Sequence, residues 1–273
     1  MDPVQLATFQ AVIETGSFEA AARALHVTPS AVSQRIRALE GSVGQVLVRR
    51  TKPCVATPAG EPLIRFAGQV ALLEREALGQ ARDGTRIPLV VNADSLYTWF
   101  LPALAAVPGP AYELHTDDQD YTADLLRAGT AMAAVTAQNV VVQGCRLEKL
   151  GAMRYLAVGA PGVDLATGPM IVYNRKDALQ HRFAASVTRE PADVPIHYVP
   201  AAGAFVEAIR LGMGWGMVPE QVALPDIEAG RYRPLIPGRH LDVPLYWQYW
   251  RIGSSVLGEL TRAVQAAAAN CLR

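Results

Sequence analysis

Residues Phe18–Arg37, FEAAARALHVTPSAVSQRIR, decide how this chain is read. The alanine-rich first half predicts a short helix. Ser17 is its N-cap, because a serine oxygen can accept from an N–H group that the first turn leaves unpaired. His26–Val27 form a tight turn, Thr28 caps a second helix, and Pro29 opens that helix where a missing N–H costs nothing. Val32, Ile36 and Leu39 make its buried stripe, so Thr28, Ser30, Ser33, Gln34 and Arg37 face outward. On the second helix of a helix–turn–helix, such side chains can reach base edges in a DNA major groove.

The flanking residues fit that reading. Leu6, Phe9, Val12 and Ile13 recur at helical spacing before Gly16 ends their helix. Leu47–Thr57, LVRRTKPCVAT, alternates around a proline and predicts a short β-wing. Its Arg49, Arg50 and Lys52 suit phosphates, contacts that position a protein on DNA without specifying sequence. Residues 23–52 carry Arg23, Arg35, Arg37, Arg49, Arg50 and Lys52 against Glu40 alone, a local balance of +5. Over 59–82, Leu63, Phe66, Val70, Leu73 and Ala77 follow the three–four spacing of a coiled-coil seam. That predicts one long helix pairing with a second copy, the alternative being a helix packed on its own domain.

From Ile87 the texture changes. Strands are predicted at Ile87–Ala93, Tyr112–Thr116, Ala131–Ala137, Tyr155–Gly159, Met170–Tyr173, Trp215–Val218 and Leu245–Trp250. Helices are predicted at 95–106, 121–128, 176–187, 203–212 and 255–271, which implies an α/β region with largely parallel sheets. Turn-rich stretches at 160–169 and 237–244 are candidate crossovers between two lobes. Asn92, Asp94 and Ser95 lie where a strand gives way to a helix, so free N–H groups and Ser95 can hold an α-carboxylate; Asp94 equally fits a helix N-cap. Thr136 ends a strand at the edge where α/β ligands sit, and Ala202–Gly203 open a helix that can approach from the other side. Residues 113–124 hold Glu113, Asp117, Asp118, Asp120 and Asp124 without Lys or Arg, a balance of −5. Asp118 and Asp120 can meet an ammonium or guanidinium, or form a solvated loop.

Composition narrows the classes. The chain has 273 residues, 51% of them hydrophobic and 18% charged, enough for about two folded domains and too little charge for disorder. No apolar run reaches the length of a membrane span, and MDPVQLATFQ lacks a signal-peptide layout, so a cytoplasmic protein is expected. Cys54, Cys145 and Cys271 are widely spaced and read as free thiols. The histidines lack metal-ligand spacing, and Gly212–Gly216 leads from a helix into a strand, the reverse of a dinucleotide loop. No catalytic residue, metal or cofactor is assigned. A ligand-responsive DNA-binding regulator is therefore preferred over an α/β enzyme with an accessory DNA-binding domain, or an architectural protein.

FEAAARALHVTPSAVSQRIRALE, GQVLVRR and TPAG resemble the DNA-binding head of LysR-type transcriptional regulators. NADSLYTWFLPAL, AAVTAQ, GAFVEAIRLGMGWGMVP and LYWQYWR are similar to the branch that controls lysine and arginine export. The resemblance implies a winged helix–turn–helix at 1–58, a linker helix at 59–86, and an effector domain at 87–273 resembling periplasmic binding proteins. Its first lobe would comprise about 87–160 and 242–273, its second about 161–241. It further implies a homodimer or homotetramer that binds promoter DNA and a basic amino acid and activates an exporter gene, with RNA polymerase a further candidate partner. Ala134, where relatives commonly carry glycine, and a short second lobe near Gly162–Pro169 depart from the pattern.

Overall fold

The computed structural model describes residues 1–79, 85–116, 122–188 and 193–273. Its first unit is built on α1 (Pro3–Thr15), α2 (Phe18–Ala24) and α3 (Pro29–Val43). Ser17 Oγ accepts from Ala20 N at 3.0 Å and Thr28 Oγ1 from Ala31 N at 3.2 Å, so both helices start at their expected caps. Gly16 ends α1 at φ 71°, and a Cβ there would lie 2.8 Å from Pro53, so only glycine fits both turn and contact. Phe9, Val12, Ala21, Val32, Ile36 and Leu39 are fully buried together, which joins the three helices in one core. The wing is an antiparallel pair, β1 (Val48–Arg49) and β2 (Val55–Ala56). Glu40, the one acid of the basic stretch, accepts from Leu47 N at 2.9 Å and Val48 N at 3.3 Å, hooking the end of α3 to the wing.

The long helix is α4 (Glu61–Ala77). It has two apolar faces. Ile64, Ala67, Gly68 and Leu72 are buried against the chain's own domains, whereas Phe66 and Leu73 are 45% and 39% exposed. At about 100° per residue the two sets lie on opposite sides of the helix. The inward set joins Ile64 and Ala67 to the first core and Leu72 to the core of the following domain. Arg65 Nη1 donates to Gln143 O at 2.6 Å, and a Cβ at Gly68 would lie 2.9 Å from the Trp250 ring. At the far end, Glu76 accepts from Ser254 Oγ at 2.6 Å and from Ser255 N and Val256 N, capping α11 (Ser255–Cys271).

The remaining strands are β3 (Arg86–Val90), β4 (Ala111–His115), β5 (Ala133–Thr136), β6 (Cys145–Gly159), β7 (Met170–Val172), β8 (Ile196–Tyr198), β9 (Trp215–Pro219), β10 (Arg233–Pro234) and β11 (Leu241–Trp250). They pair in the order β4-β3-β5-β11-β6-β9-β7-β8, with β10 on β6. The helices between them are α5 (Ala93–Ser95), α6 (Leu101–Ala105), α7 (Thr122–Arg127), α8 (Leu179–Val187), α9 (Ala202–Arg210) and α10 (Glu220–Glu228). A π-helical turn at Leu96–Phe100 joins α5 to α6. Pro102 lacks the N–H that an α-helix would direct at Thr98, and the wider turn makes room for its ring.

The expectation of largely parallel sheets holds only for the flanks. The strand β3 pairs in parallel with β4 and β5, and β7 with β8 and β9, while every pairing of β6 and β11 is antiparallel. The passage from one lobe to the other also falls within strands rather than in the turn-rich stretch at 160–169. Residues 145–155 of β6 pair with β11, and residues 155–159 pair with β9. Two long extended segments thus run between the lobes and leave a groove where the flanking parallel strands end.

Candidate functional site

Two surfaces carry the chemistry. The first is the outward face of α3 with the wing. Ser30, Gln34 and Arg37 are exposed on one side of the helix, opposite the buried Val32, Ile36 and Leu39. Ser33 is half-buried, and the Thr28 hydroxyl is already used by the cap, 2.9 Å from Ser30 Oγ. Arg49, Arg50 and Lys52 are exposed on the wing, and the Arg50 guanidinium lies 4.7 Å from the Phe18 ring centroid. That stacking fixes a cation beside the start of α2, where helix N–H groups also favour anions.

The second is a cavity of about 420 Å³ at the carboxyl ends of β3, β4 and β7, the edge where open α/β sheets take ligands. One wall is Asn92, Ala93 and Asp94, with Thr116 beyond β4. Tyr155 of β6, Met217 of β9 and Val243 of β11 form its floor. The opposite wall is the loop from Tyr173 into α8, with Lys176, Asp177, Gln180 and Arg182, flanked by Ala202 and Phe205 of α9. Asp94 is not the helix cap; Asn92 stands at that position. Its carboxylate instead accepts from Tyr155 Oη at 2.8 Å. Burial, and secondarily the charge of Asp177, push the Asp94 carboxyl up to about 6, against a lowering by the Tyr155 hydrogen bond. Burial and the Asp94 charge hold the Tyr155 phenol well above its ordinary range, so it remains a donor.

Asp177 differs from Asp94 although both face the cavity. Its oxygens accept from Leu179 N at 2.9 Å and Tyr173 N at 3.1 Å, which commits it to shaping its own loop. Two further acceptors line the walls. Asn92 Oδ1 and Gln180 Oε1 are covered and have no hydrogen-bond partner among the described residues. The cavity therefore carries acceptors on both walls, Asp94 and Asn92 on one and Gln180 on the other, with the cations Lys176 and Arg182 on the second lobe.

A family model described as "Bacterial regulatory helix-turn-helix protein, lysR family" matches residues 3–61, and one described as "LysR substrate binding domain" matches residues 81–269. The chain belongs to the LysR family. Similar to this LysR-family chain is the lysine export transcriptional regulatory protein LysG of Corynebacterium glutamicum, 42% identical, with 100% of both chains covered. The crystal structure of ArgP from Mycobacterium tuberculosis is 45% identical with TM-score 0.91, covering 100% of this chain and 99% of that one. Full-length LysG from Corynebacterium glutamicum with bound effector Arg is 40% identical with TM-score 0.84, covering 100% of both. These relatives are transcription regulators and not enzymes, which answers the enzyme alternative. The LysR-family chain is a DNA-binding transcription regulator, and among its described residues no helix is long and apolar enough to cross a membrane.

Of the effector residues expected from the sequence, Asn92, Asp94 and Ala202 line the cavity of this LysR-family regulator. Ser95 is fully buried at the end of α5, Thr136 is buried with its hydroxyl accepting from Gln138 N, and Gly203 is exposed; none of the three lines the cavity. The reason is local: Ser95 points inward one residue past the turn, and Thr136 closes its own turn. Asp118 and Asp120 lie outside the described residues. Tyr155, Lys176, Asp177, Gln180 and Arg182 were missed. A signal for Lys176 and Asp177 was present: Tyr173-Asn174-Arg175-Lys176-Asp177 follows a strand and leads into a helix, as Asn92–Ser95 does in the first lobe.

Proposed function

We propose that the effector is a basic amino acid, L-lysine or L-arginine, and that the gene under control encodes an amino-acid exporter. One observation carries this reading: the Asp94 carboxylate is set into the cavity with Tyr155 as its one hydrogen-bond partner among the described residues. A buried carboxylate is costly unless something cationic meets it. The bound arginine in Corynebacterium LysG and that protein's name, lysine export regulator, support the same chemistry.

In this reading the side-chain cation goes to Asp94 and Asn92, and the α-carboxylate goes toward Lys176 and Arg182. That reverses the sequence-level expectation, which gave the turn at Asn92–Ser95 to the carboxylate and the run at Asp118 and Asp120 to the cation. Ser30, Gln34 and Arg37 would read bases, Ser33 the edge of that surface, and Arg49, Arg50 and Lys52 the phosphates, with Thr28 setting the angle of α3 through its cap. Residues 1–58 act as the head, 59–86 as the linker and 87–273 as the effector domain, working in the cytoplasm. Phe66, Val70, Leu73 and Ala77 would pair α4 with α4 of a second copy, since the opposite face of that helix is already covered, and Leu63, which packs against the head core, would border that seam.

A thermal-shift panel of the twenty amino acids tests the effector. L-lysine and L-arginine should raise the melting temperature by mass action, and neutral amino acids should not. No shift with either basic amino acid would refute the assignment.

A further inference from the structure

Gln180 stands on α8, in the second lobe, and is only 1% exposed. It lines the cavity, yet its Oε1 has no donor among the described residues. Asn92 Oδ1, in the first lobe, is in the same condition. Buried amide oxygens nearly always find a donor, because leaving one unmet forfeits its water without replacement. Ser95 Oγ and four ring nitrogens also lack a hydrogen-bond partner among the described residues, but only Asn92 and Gln180 of that set line the cavity, one from each lobe, together with the ionisable Asp94. The terminal torsion of an amide is soft, so a small rotation presents each oxygen to the cavity. A guanidinium has five N–H donors and an ammonium three, enough to meet Asp94, Asn92 and Gln180 together.

We infer that Gln180 is a specificity-determining contact for the effector's side-chain cation, placed in the second lobe opposite Asn92 and Asp94. One multi-donor cation then bonds to both lobes, and the two acceptors gain partners only when it is present. This assignment rests on the basic-amino-acid reading of the cavity. It also separates cationic effectors from neutral ones of the same shape. A urea group in place of the guanidinium keeps several N–H donors but brings no charge to the carboxylate and turns an oxygen toward acceptors.

The test uses the full chain, calorimetric titration with L-arginine and L-citrulline, and the variants Gln180→Leu and Gln180→Glu. Gln180→Leu removes a buried acceptor, so it should raise the melting temperature of the free protein while weakening arginine binding about tenfold or more. A residue with a purely structural role would not move these two readouts in opposite directions. Gln180→Glu keeps the acceptors and adds charge, so it should raise the preference for arginine over citrulline above that of the unmodified chain. Unchanged arginine affinity in Gln180→Leu, or an unchanged arginine-to-citrulline ratio in Gln180→Glu, overturns the role of Gln180. Absence of arginine and lysine binding by the unmodified chain instead overturns the reading of the cavity beneath it.

Discussion

Asp94 shows how much one side chain can decide. In the folded chain it ionises near pH 6, against 3.8 for an ordinary aspartate, because burial disfavours its charge. Between those values Asp94 binds more protons in the folded than in the unfolded state, so its own contribution to stability falls as pH rises through about 4 to 6 and is level above that. An effector cation needs the ionised carboxylate, so its affinity runs the opposite way. Calorimetric titration with L-lysine should show binding about tenfold tighter at pH 7 than at pH 5, the ratio of ionised fractions around a midpoint of 6. An equal affinity at the two pH values would remove Asp94 from the cation site. In the DNA-binding head, Arg37 is exposed on α3, and Glu40, one turn on, is engaged by Leu47 N and Val48 N of the wing. Arg37→Ala should weaken specific promoter binding by about 1–3 kcal/mol. Unchanged affinity at moderate salt, read by fluorescence anisotropy, would exclude it from the interface.

Helix α4 sets the scale at which elements cooperate. Its inward face is pinned by Arg65 to Gln143, Gly68 to Trp250 and Glu76 to the start of α11, while Phe66 and Leu73 stay open. Leu73→Glu places a charge on the open face alone, so light scattering should show loss of the dimer with an unchanged fold by circular dichroism. A dimer that survives would locate self-association elsewhere. The exposed Phe66 and Leu73 fit the predicted stripe, although its Leu63 packs on the head core, and the caps at Ser17 and Thr28 were readable because they depend on residues a few positions apart. The inward face was not. Gly68 reads as a helix weakness until Trp250, far along the chain, is seen to occupy the space above it. The same limit explains β6. Its first half, Cys145–Gly151, mixes charges with half-buried positions and lacks a clean alternation, and only pairing with β11 makes it a strand. The acceptor set of the cavity was legible in part: Asn92 and Asp94 stand out after a strand, but Tyr155 and Gln180 reach them only through the lobe-to-lobe geometry that β6 and β11 create.

The whole molecule joins a DNA-reading surface to a ligand cavity through that pinned helix. Because α4 contacts both the head core and the effector core, a change in how the two lobes close can alter the direction in which α4 leaves the effector domain. An effector shifts such an equilibrium only by binding one arrangement more tightly than the other, and contacts from both lobes to a single cation supply that difference. The most direct measurement is single-round transcription from a promoter fragment that the purified chain protects from cleavage, with and without L-lysine. Lysine is predicted to raise transcript yield with the unmodified chain and to have no effect with Asp94→Asn, which should still protect the fragment. A lysine response that persists in Asp94→Asn, or no response to lysine or arginine in the unmodified chain, would contradict the account.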